Sequence, residues 1–321
     1  MSRAVSRPRP LLALLKLGIC ILIPGIVVAG AFWVPADSML IAAPYGLVPF
    51  AVLLAILALF RRPRRLALPL LAACGVAGAV LAVPLLQGTA GAAADAGTKV
   101  RVVSFNIYRA NAQAAEAVDW VIRQKADFVI LVEAVPAHAG QIARLRKLFP
   151  YSYGCSASGF CSTIILSRQP ASDVWHLSRG DPENRKALSA VTARFTVGGN
   201  DVPVTAVHLD RPWPLGAQER YLGVLNDAVA SVGRRGIVAG DFNSAPWTWA
   251  MRRMAKAGEL HLASGATGTW PADRLPHPLR LPLDQVYIGP CMARQHVQHG
   301  PVLGSDHLPI VTDIIVGDCR S

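Results

Sequence analysis

The sequence predicts an α/β domain with a mostly buried sheet system, carried behind an apolar, helix-forming front. Three observations predict it. The 321 residues are 52% hydrophobic and only 16% charged, with a mean hydropathy of +0.36. That balance excludes a disordered chain and points to membrane-spanning sequence. The apolar excess is concentrated in residues 1–95, leaving 96–321, about 225 residues, enough for one large core. Within that second part, short apolar runs alternate with turns and a few helical patterns, as in layered α/β domains.

The front is read as a membrane anchor. About 20 apolar residues cross a bilayer as a helix, and three stretches reach that length, at about 17–34, 39–60 and 66–86. Their prolines are tolerated better in membrane spans than in soluble helices. A cleavable signal peptide is the rival reading of the first stretch, after the basic leader MSRAVSRPRP; two further spans close behind favour a retained anchor. Arg3, Arg7, Arg9 and Lys16 precede the first stretch, PADS after it lacks Lys and Arg, and RRPRR at 61–65 has four arginines. Basic short loops stay cytoplasmic. The expected arrangement is therefore a multi-pass protein of the inner (plasma) membrane, with the PADS turn outside, RRPRR inside and the globular domain on the periplasmic or extracytoplasmic face. QGTAGAAADAGTK at 87–99 reads as a flexible tether.

Of the six cysteines, Cys20 and Cys74 fall in the apolar stretches, and Cys155, Cys161, Cys291 and Cys319 in the outer domain. An oxidising compartment permits Cys155–Cys161 and Cys291–Cys319 disulfides, among three connectivities; free buried thiols are the alternative.

In the outer domain, strands are expected at Arg101–Asn106, Phe128–Glu133, Thr163–Ser167, Ala187–Thr196, Val202–His208, Ile237–Ala239, Gln285–Ile288 and Pro309–Val316. Helices are expected from Asn111 to about Gln124, over Gly216–Ser231 and over Thr248–Ala257. These strands repeatedly stop at residues able to bind metal or phosphate. RVVSFN ends in Asn106, FVILVE in Glu133, VPVTAVH in His208 and GIVAGD in Asp241, with Asn243 two residues on. Asp284 opens LPLDQVY, and Asp306 and His307 precede the last strand. Strand ends at one rim let residues distant in sequence converge while the sheet fixes their geometry. Glu133 and Asp306 supply hard oxygen ligands suited to Mg²⁺ or Mn²⁺. Asp241 can take a proton from water with Asn243 holding it in line, and His208 and His307 can donate to phosphoryl oxygens. Asp284 can orient a histidine. No nucleophile elbow and no Walker-type loop is present.

SFN, VILVE, TAVHL, GDFNSAP, LDQVY and SDHLPIV, in that order, resemble the endonuclease/exonuclease/phosphatase superfamily, over roughly Lys99 to Val316. The resemblance implies a four-layer α/β sandwich hydrolysing phosphoesters with a divalent metal. Asn106, Glu133 and Asp306 would then lie at the metal, with Glu133 the principal ligand. Asp241 would activate water, Asn243, His208 and His307 would contact phosphate, and Asp284 would pair with His307. Many members carry His where this chain has Gln285, which leaves the role of that neighbour open.

The two parts carry equal surplus charge. Residues 1–95 have eight Lys or Arg against two acidic residues, and residues 96–321 have 24 against 18, so each is +6. The outer surplus favours phosphate-bearing partners without separating nucleic acid from phospholipid; no protein partner is expected. Trp213, Trp247, Trp249 and Trp270 near the motif loops fit base stacking, a lipid interface or plain packing. Arg109, Arg211 and Arg252 fit either a substrate groove or solvated charge. A non-catalytic binding module on the same scaffold is the rival from another class. A transporter fits poorly, since the apolar stretches hold no acidic residue.

Overall fold

The computed structural model describes residues 18, 21–22, 25–60, 63–87, 97–156, 161–179 and 188–317. Among them, α1 (Val34–Leu40), α2 (Ala43–Ala58) and α3 (Arg64–Gln87) form the front. The domain follows as β1 (Thr98–Asn106), α4 (Ala114–Arg123), β2 (Phe128–Val132), α5 (Ala139–Arg146), β3 (Tyr151–Gly154), β4 (Ile164–Ser167), β5 (Asp173–Arg179), β6 (Leu188–Val197), β7 (Asn200–His208) and α6 (Glu219–Ala230). It is completed by β8 (Ile237–Asp241), α7 (Trp249–Ala257), β9 (His261–Leu262), β10 (Asp284–Ile288), β11 (Met292–His299) and β12 (Ile310–Val316).

Two six-stranded sheets face each other. One runs β11-β12-β1-β2-β4-β3 and the other β5-β6-β7-β8-β10-β9. Each has one parallel pair near its centre, β1 with β2 and β7 with β8, because a helix (α4 or α6) carries the chain back between them. Side chains alternate between the two faces of a strand. Val102, Ile130, Val204, Ala239 and Val286 therefore meet between the sheets. Val103, Phe105 and Leu131 pack outward under α4 and α5, and Val207 and Val238 under α6 and α7. Helix layer, sheet, sheet, helix layer is the four-layer sandwich expected. The strands absent from the expectation, β3, β5, β9 and β11, include all the sheet edges. β11 (MARQHVQH) buries only Met292 fully, so it lacks the apolar run that marks a buried strand.

The front departs from three separate spans. Among the described residues, only α3 is both long and apolar enough by itself to cross a membrane, over Arg64–Leu86; the second expected span starts in the end of α1, which also takes in the expected PADS turn, and continues in α2 after a 64° bend. Pro44 and Pro35, each in a first helical turn, mark where the chain restarts. Much of the first expected span, the expected tether at 88–96, Cys20 and Cys319 lie outside the described residues. The helices do not hang free of the domain. Asp37, expected in an exposed turn, is buried and accepts from the backbone amides of Trp249 (2.7 Å) and Ala250 (2.7 Å). It satisfies the open amides at the start of α7 from outside that helix, alongside the Thr248 cap. Trp247 Nε1 donates to Leu40 O at 2.7 Å and Trp249 Nε1 to Val27 O at 2.8 Å. Arg252 stacks on Trp249 and donates to Val80 O, so it braces the joint and is not a groove cation.

This joint yields a prediction. Asp37→Ala should cost about 1–2 kcal/mol locally and speed hydrogen exchange at the Trp249 and Ala250 amides by roughly tenfold. Unchanged exchange at both amides would show that the front and the domain are not joined there.

Candidate functional site

The register of the strands assembles the site. His208 is paired with Asp241 across β7 and β8, and Asp241 with Asp284 across β8 and β10. The three side chains therefore stand in one row, on the face that carries Val204, Ala239 and Val286 into the core. In β1, Asn106 continues the inward series of Val100 and Val102 from the opposite sheet. The site thus closes one end of the space between the sheets, at the carboxyl ends of the parallel strands. Gly240 permits this spacing, because its φ is +143° and a Cβ there would lie 1.9 Å from Val207 O.

Asp241 is the meeting point. Its Oδ2 accepts from Asn106 Nδ2 at 3.0 Å and its Oδ1 from the Asn243 amide at 2.8 Å. His307 Nε2 lies 3.7 Å and His208 Nε2 3.9 Å from Oδ2. His307 Nδ1 donates to Asp284 Oδ2 at 2.7 Å, the carboxylate–histidine pair expected from the sequence. Asn106 Oδ1 accepts from the Tyr108 amide. Glu133 accepts from the Arg109 amide at 3.1 Å and holds a left-handed φ of +58°, an unfavourable conformation for a side chain of its size. Asn243 is also left-handed, at φ +46°, which Asn tolerates better. Its Nδ2 is spent on Leu209 O at 2.9 Å. Asp306 is half-buried and its Oδ2 accepts from Trp270 Nε1 at 3.0 Å.

Several supporting residues had no assigned role in the sequence. Ser305 Oγ donates to Asn106 O and accepts from the His307 amide, joining the two sides of the site. Gln218 Nε2 faces the carbonyl oxygens of Asp210, Phe242 and Asn243 and fixes the loop that carries Asn243. Gln285 has a structural task. Its Nε2 donates to Ser244 O (2.5 Å) and Pro282 O (3.2 Å), and its Oε1 accepts from Tyr287. Ser305 falls within the SDH motif, but a lone Gln on a helix or strand carries no such signal.

Burial and neighbouring charge separate the titrations. Burial pushes Asp241 up, and Asp284 adds to this against the opposing pull of His307, to about 7. Burial pushes His208 down to about 4, so it is neutral. For His307 burial acts downward too, but Asp284 and Asp241 outweigh it and raise the ring to about 10. Burial acts upward on Glu133, yet the Arg109 amide, the His307 charge and the Asn106 side chain hold it below the usual carboxylate range. The site therefore joins a fixed imidazolium, a neutral imidazole, an ionised Glu133 and a carboxylate poised near neutrality.

The residues fit a divalent cation. Four carboxylates and an amide oxygen are hard donors, and the Oδ1 atoms of Asp284 and Asp306 are buried without a hydrogen-bond partner. Donor atoms of Asp241, Asp284 and His307 lie within 4.8 Å of one another, although a hydrogen bond already joins two of these three.

Outside the site, Cys155 and Cys161 form a disulfide with Cα atoms 5.5 Å apart, as expected. Cys291 is also disulfide-bonded, and its expected partner, Cys319, lies outside the described residues.

Comparison with known proteins gives a consistent picture. A family described as Endonuclease/Exonuclease/phosphatase family matches residues 103–307. The chain is similar in fold to a solved endonuclease/exonuclease/phosphatase from Beutenbergia cavernae DSM 12333, with a TM-score of 0.55 and 22% identity over 68% of this chain and 72% of that one. It is similar to one from Bacteroides vulgatus, with a TM-score of 0.55 and 17% identity over 68% and 99%. It is also similar to D. rerio TDP2 complexed with single strand DNA product, with a TM-score of 0.53 and 17% identity over 67% and 98%. No curated protein matches the chain.

The His307 pair makes a pH prediction for the metal-free protein. A folded pKa raised from 6.5 to about 10 gives stability that is complete below about pH 6.5 and is lost as pH rises through 10. The gap in Tm between the native protein and His307→Gln should be widest at pH 6 and shrink towards pH 10. A constant gap would refute the charged pairing.

Proposed function

The chain belongs to the endonuclease/exonuclease/phosphatase family, and from that premise we propose that it is a membrane-anchored phosphodiesterase dependent on Mg²⁺ or Mn²⁺. One observation carries the reading: Asn106 and Asp241 are hydrogen-bonded across the two sheets, with both histidines facing the same carboxylate oxygen. The hydrolytic step needs a base, an in-line water and stabilisation of charge on the phosphoryl oxygens. Asp241, raised towards neutrality by burial, takes the proton as the water oxygen bonds to phosphorus. One P–O ester bond breaks, the departing alkoxide takes a proton from bulk water, and Asp241 returns its own to solvent, leaving a phosphomonoester and an alcohol. His307, held cationic by Asp284, stabilises the growing negative charge, and neutral His208 donates to it from the other side. Asn243 has one amide hydrogen committed to Leu209 O and keeps the other for phosphate or water.

A cation held by Glu133 with Asn106 and Asp306 would supply Lewis-acid polarisation of the phosphate. Glu133 is ionised and Asp306 keeps an unpartnered oxygen, so both suit that task.

The anchor and its orientation rest on two supports. Large apolar side chains of α2 and α3 face outward, among them Val48, Val52, Ile56, Leu66 and Val76, an apolar surface too extensive for a water-exposed hairpin. The domain packs on α1, the start of α2 and the end of α3, while exposed Arg64 and Arg65 lie at the opposite end of the hairpin. An arginine turn on the cytoplasmic side then leaves the domain outside, where the Cys155–Cys161 disulfide is chemically at home.

The test uses the full chain in detergent with bis(4-nitrophenyl) phosphate. Activity should require Mg²⁺ or Mn²⁺ and vanish in EDTA. Asp241→Asn should lower kcat by about 10²–10⁴, and the native kcat/KM should rise with pH through about 7. EDTA-resistant turnover, or full activity in Asp241→Asn, contradicts the mechanism.

A further inference from the structure

Three of the loops that carry site residues rest on the apolar helices. The loop after His208 meets α1, where the Gly216 amide donates to Ser38 Oγ and a Cβ on Gly216 would lie 2.9 Å from Pro35. The loop after Asn243 is held by Trp247 donating to Leu40 O. The loop before Asp284 is held by Tyr45, whose hydroxyl donates to Arg280 O. Leu283, beside Asp284, packs in the same apolar cluster as Leu40, Leu47 and Leu81. On the first of these loops, Trp213 is 65% exposed and Leu215 40% exposed.

Between the helices and the loops lies a half-open, mainly apolar cavity of about 550 Å³, walled by Leu47, Leu81, Ala82, Trp247, Gly268 and Pro282. Two of its wall residues adjoin, along the chain or through hydrogen bonds, residues that support the phosphate site. Gly268 precedes Thr269, whose hydroxyl accepts from the Asp284 amide, and Trp270, whose indole holds Asp306. Pro282 O accepts from Gln285, the neighbour of Asp284. Residues of α2 and α3, among them Leu47, Val48, Leu81 and Ala82, form one side of this chamber, and its apolar lining offers a nucleic acid few partners. A fatty-acyl chain suits it, since each methylene moved from water into an apolar chamber adds to binding.

We propose that this cavity seats an acyl chain of a bilayer phospholipid while its phosphodiester headgroup lies in the site, so that the helices form part of the substrate-binding surface. The inference rests on the phosphoesterase reading above and names its substrate class. The Tyr45–Arg280 contact and the buried Asp37 fix the helices against the loops, so the cavity has a defined shape. Arg280 donates to Leu275 O and Ala272 O, which places a cation at the cavity wall.

The experiment reconstitutes the full chain in vesicles of phosphatidylethanolamine and phosphatidylglycerol at 3:1. It compares their hydrolysis with that of bis(4-nitrophenyl) phosphate and of a single-stranded oligonucleotide. The native protein should cleave the vesicle lipid, and Ala82→Trp, which fills the cavity, should lower the ratio of lipid to bis(4-nitrophenyl) phosphate turnover at least tenfold. Lipid cleavage should also rise with acyl length from four to eight carbons in dispersed short-chain analogues, a measurement that needs no variant. Cleavage of the soluble diester or oligonucleotide with the vesicle lipid untouched overturns this inference and leaves the phosphoesterase reading standing. So does a ratio within twofold of native in Ala82→Trp together with no chain-length dependence. Failure of the native protein on every diester overturns both.

Discussion

A single buried carboxylate holds this architecture to its purpose. Asp241 ends the central strand of one sheet, accepts a hydrogen bond from the end of a central strand of the other, and faces two histidines. A carboxylate removed from water is costly unless hydrogen bonds and opposite charge compensate it. Here the compensation comes from Asn106, the Asn243 amide and a His307 kept cationic by Asp284. Each partner sits on a different strand or loop, so the site exists only when both sheets are packed. The inner core of Val102, Ile130, Val204 and Val286 is thus the rigid mount for chemistry at its open end.

The front of the chain belongs to the same mechanical unit. A tethered anchor would leave the domain free to tumble at the membrane surface, whereas α1 enters the domain with a buried aspartate and caps α7. The loops after His208 and Asn243 and before Asp284 therefore have one side set by the domain and the other by the apolar helices. Trp247, Trp249 and Trp270, which suited base stacking as well as packing when read from sequence, pack in or against the helix-bearing cluster. Only Trp213 of the four stays open to an external partner.

The core strands and the polar residues of the candidate site were legible because each is written locally. A run such as FVILVE or GIVAGD encodes a buried strand and the polar residue that terminates it in adjacent letters, and a fixed register then brings the termini together. The edge strands were not legible: β11 is largely polar and buries only its first residue fully, and β9 is two residues long. The short helix α5 offers only Ile142 and Leu145 to its core, too few for a period to show. The break between α1 and α2 was hidden for a different reason. Composition alone reads Met39–Phe60 as a continuous apolar stretch, whereas the bend is set by proline placement and by the pull of Asp37 on a helix more than two hundred residues away. Long-range polar contacts such as Gln218 to Asn243 leave no trace in spacing or hydropathy.

The central claim is spatial: Glu133, Asp241 and His307 serve one phosphate beside one cation. It is tested most directly by crystals of the full chain grown with Mn²⁺ and a phosphorothioate diester, read for anomalous scattering. The account predicts a manganese peak bound by Glu133, with the phosphorus lying between it and the Asp241 and His307 side chains. A peak held only within the Asp241–Asp284–His307 triangle, with Glu133 uninvolved and the diester elsewhere, would contradict it.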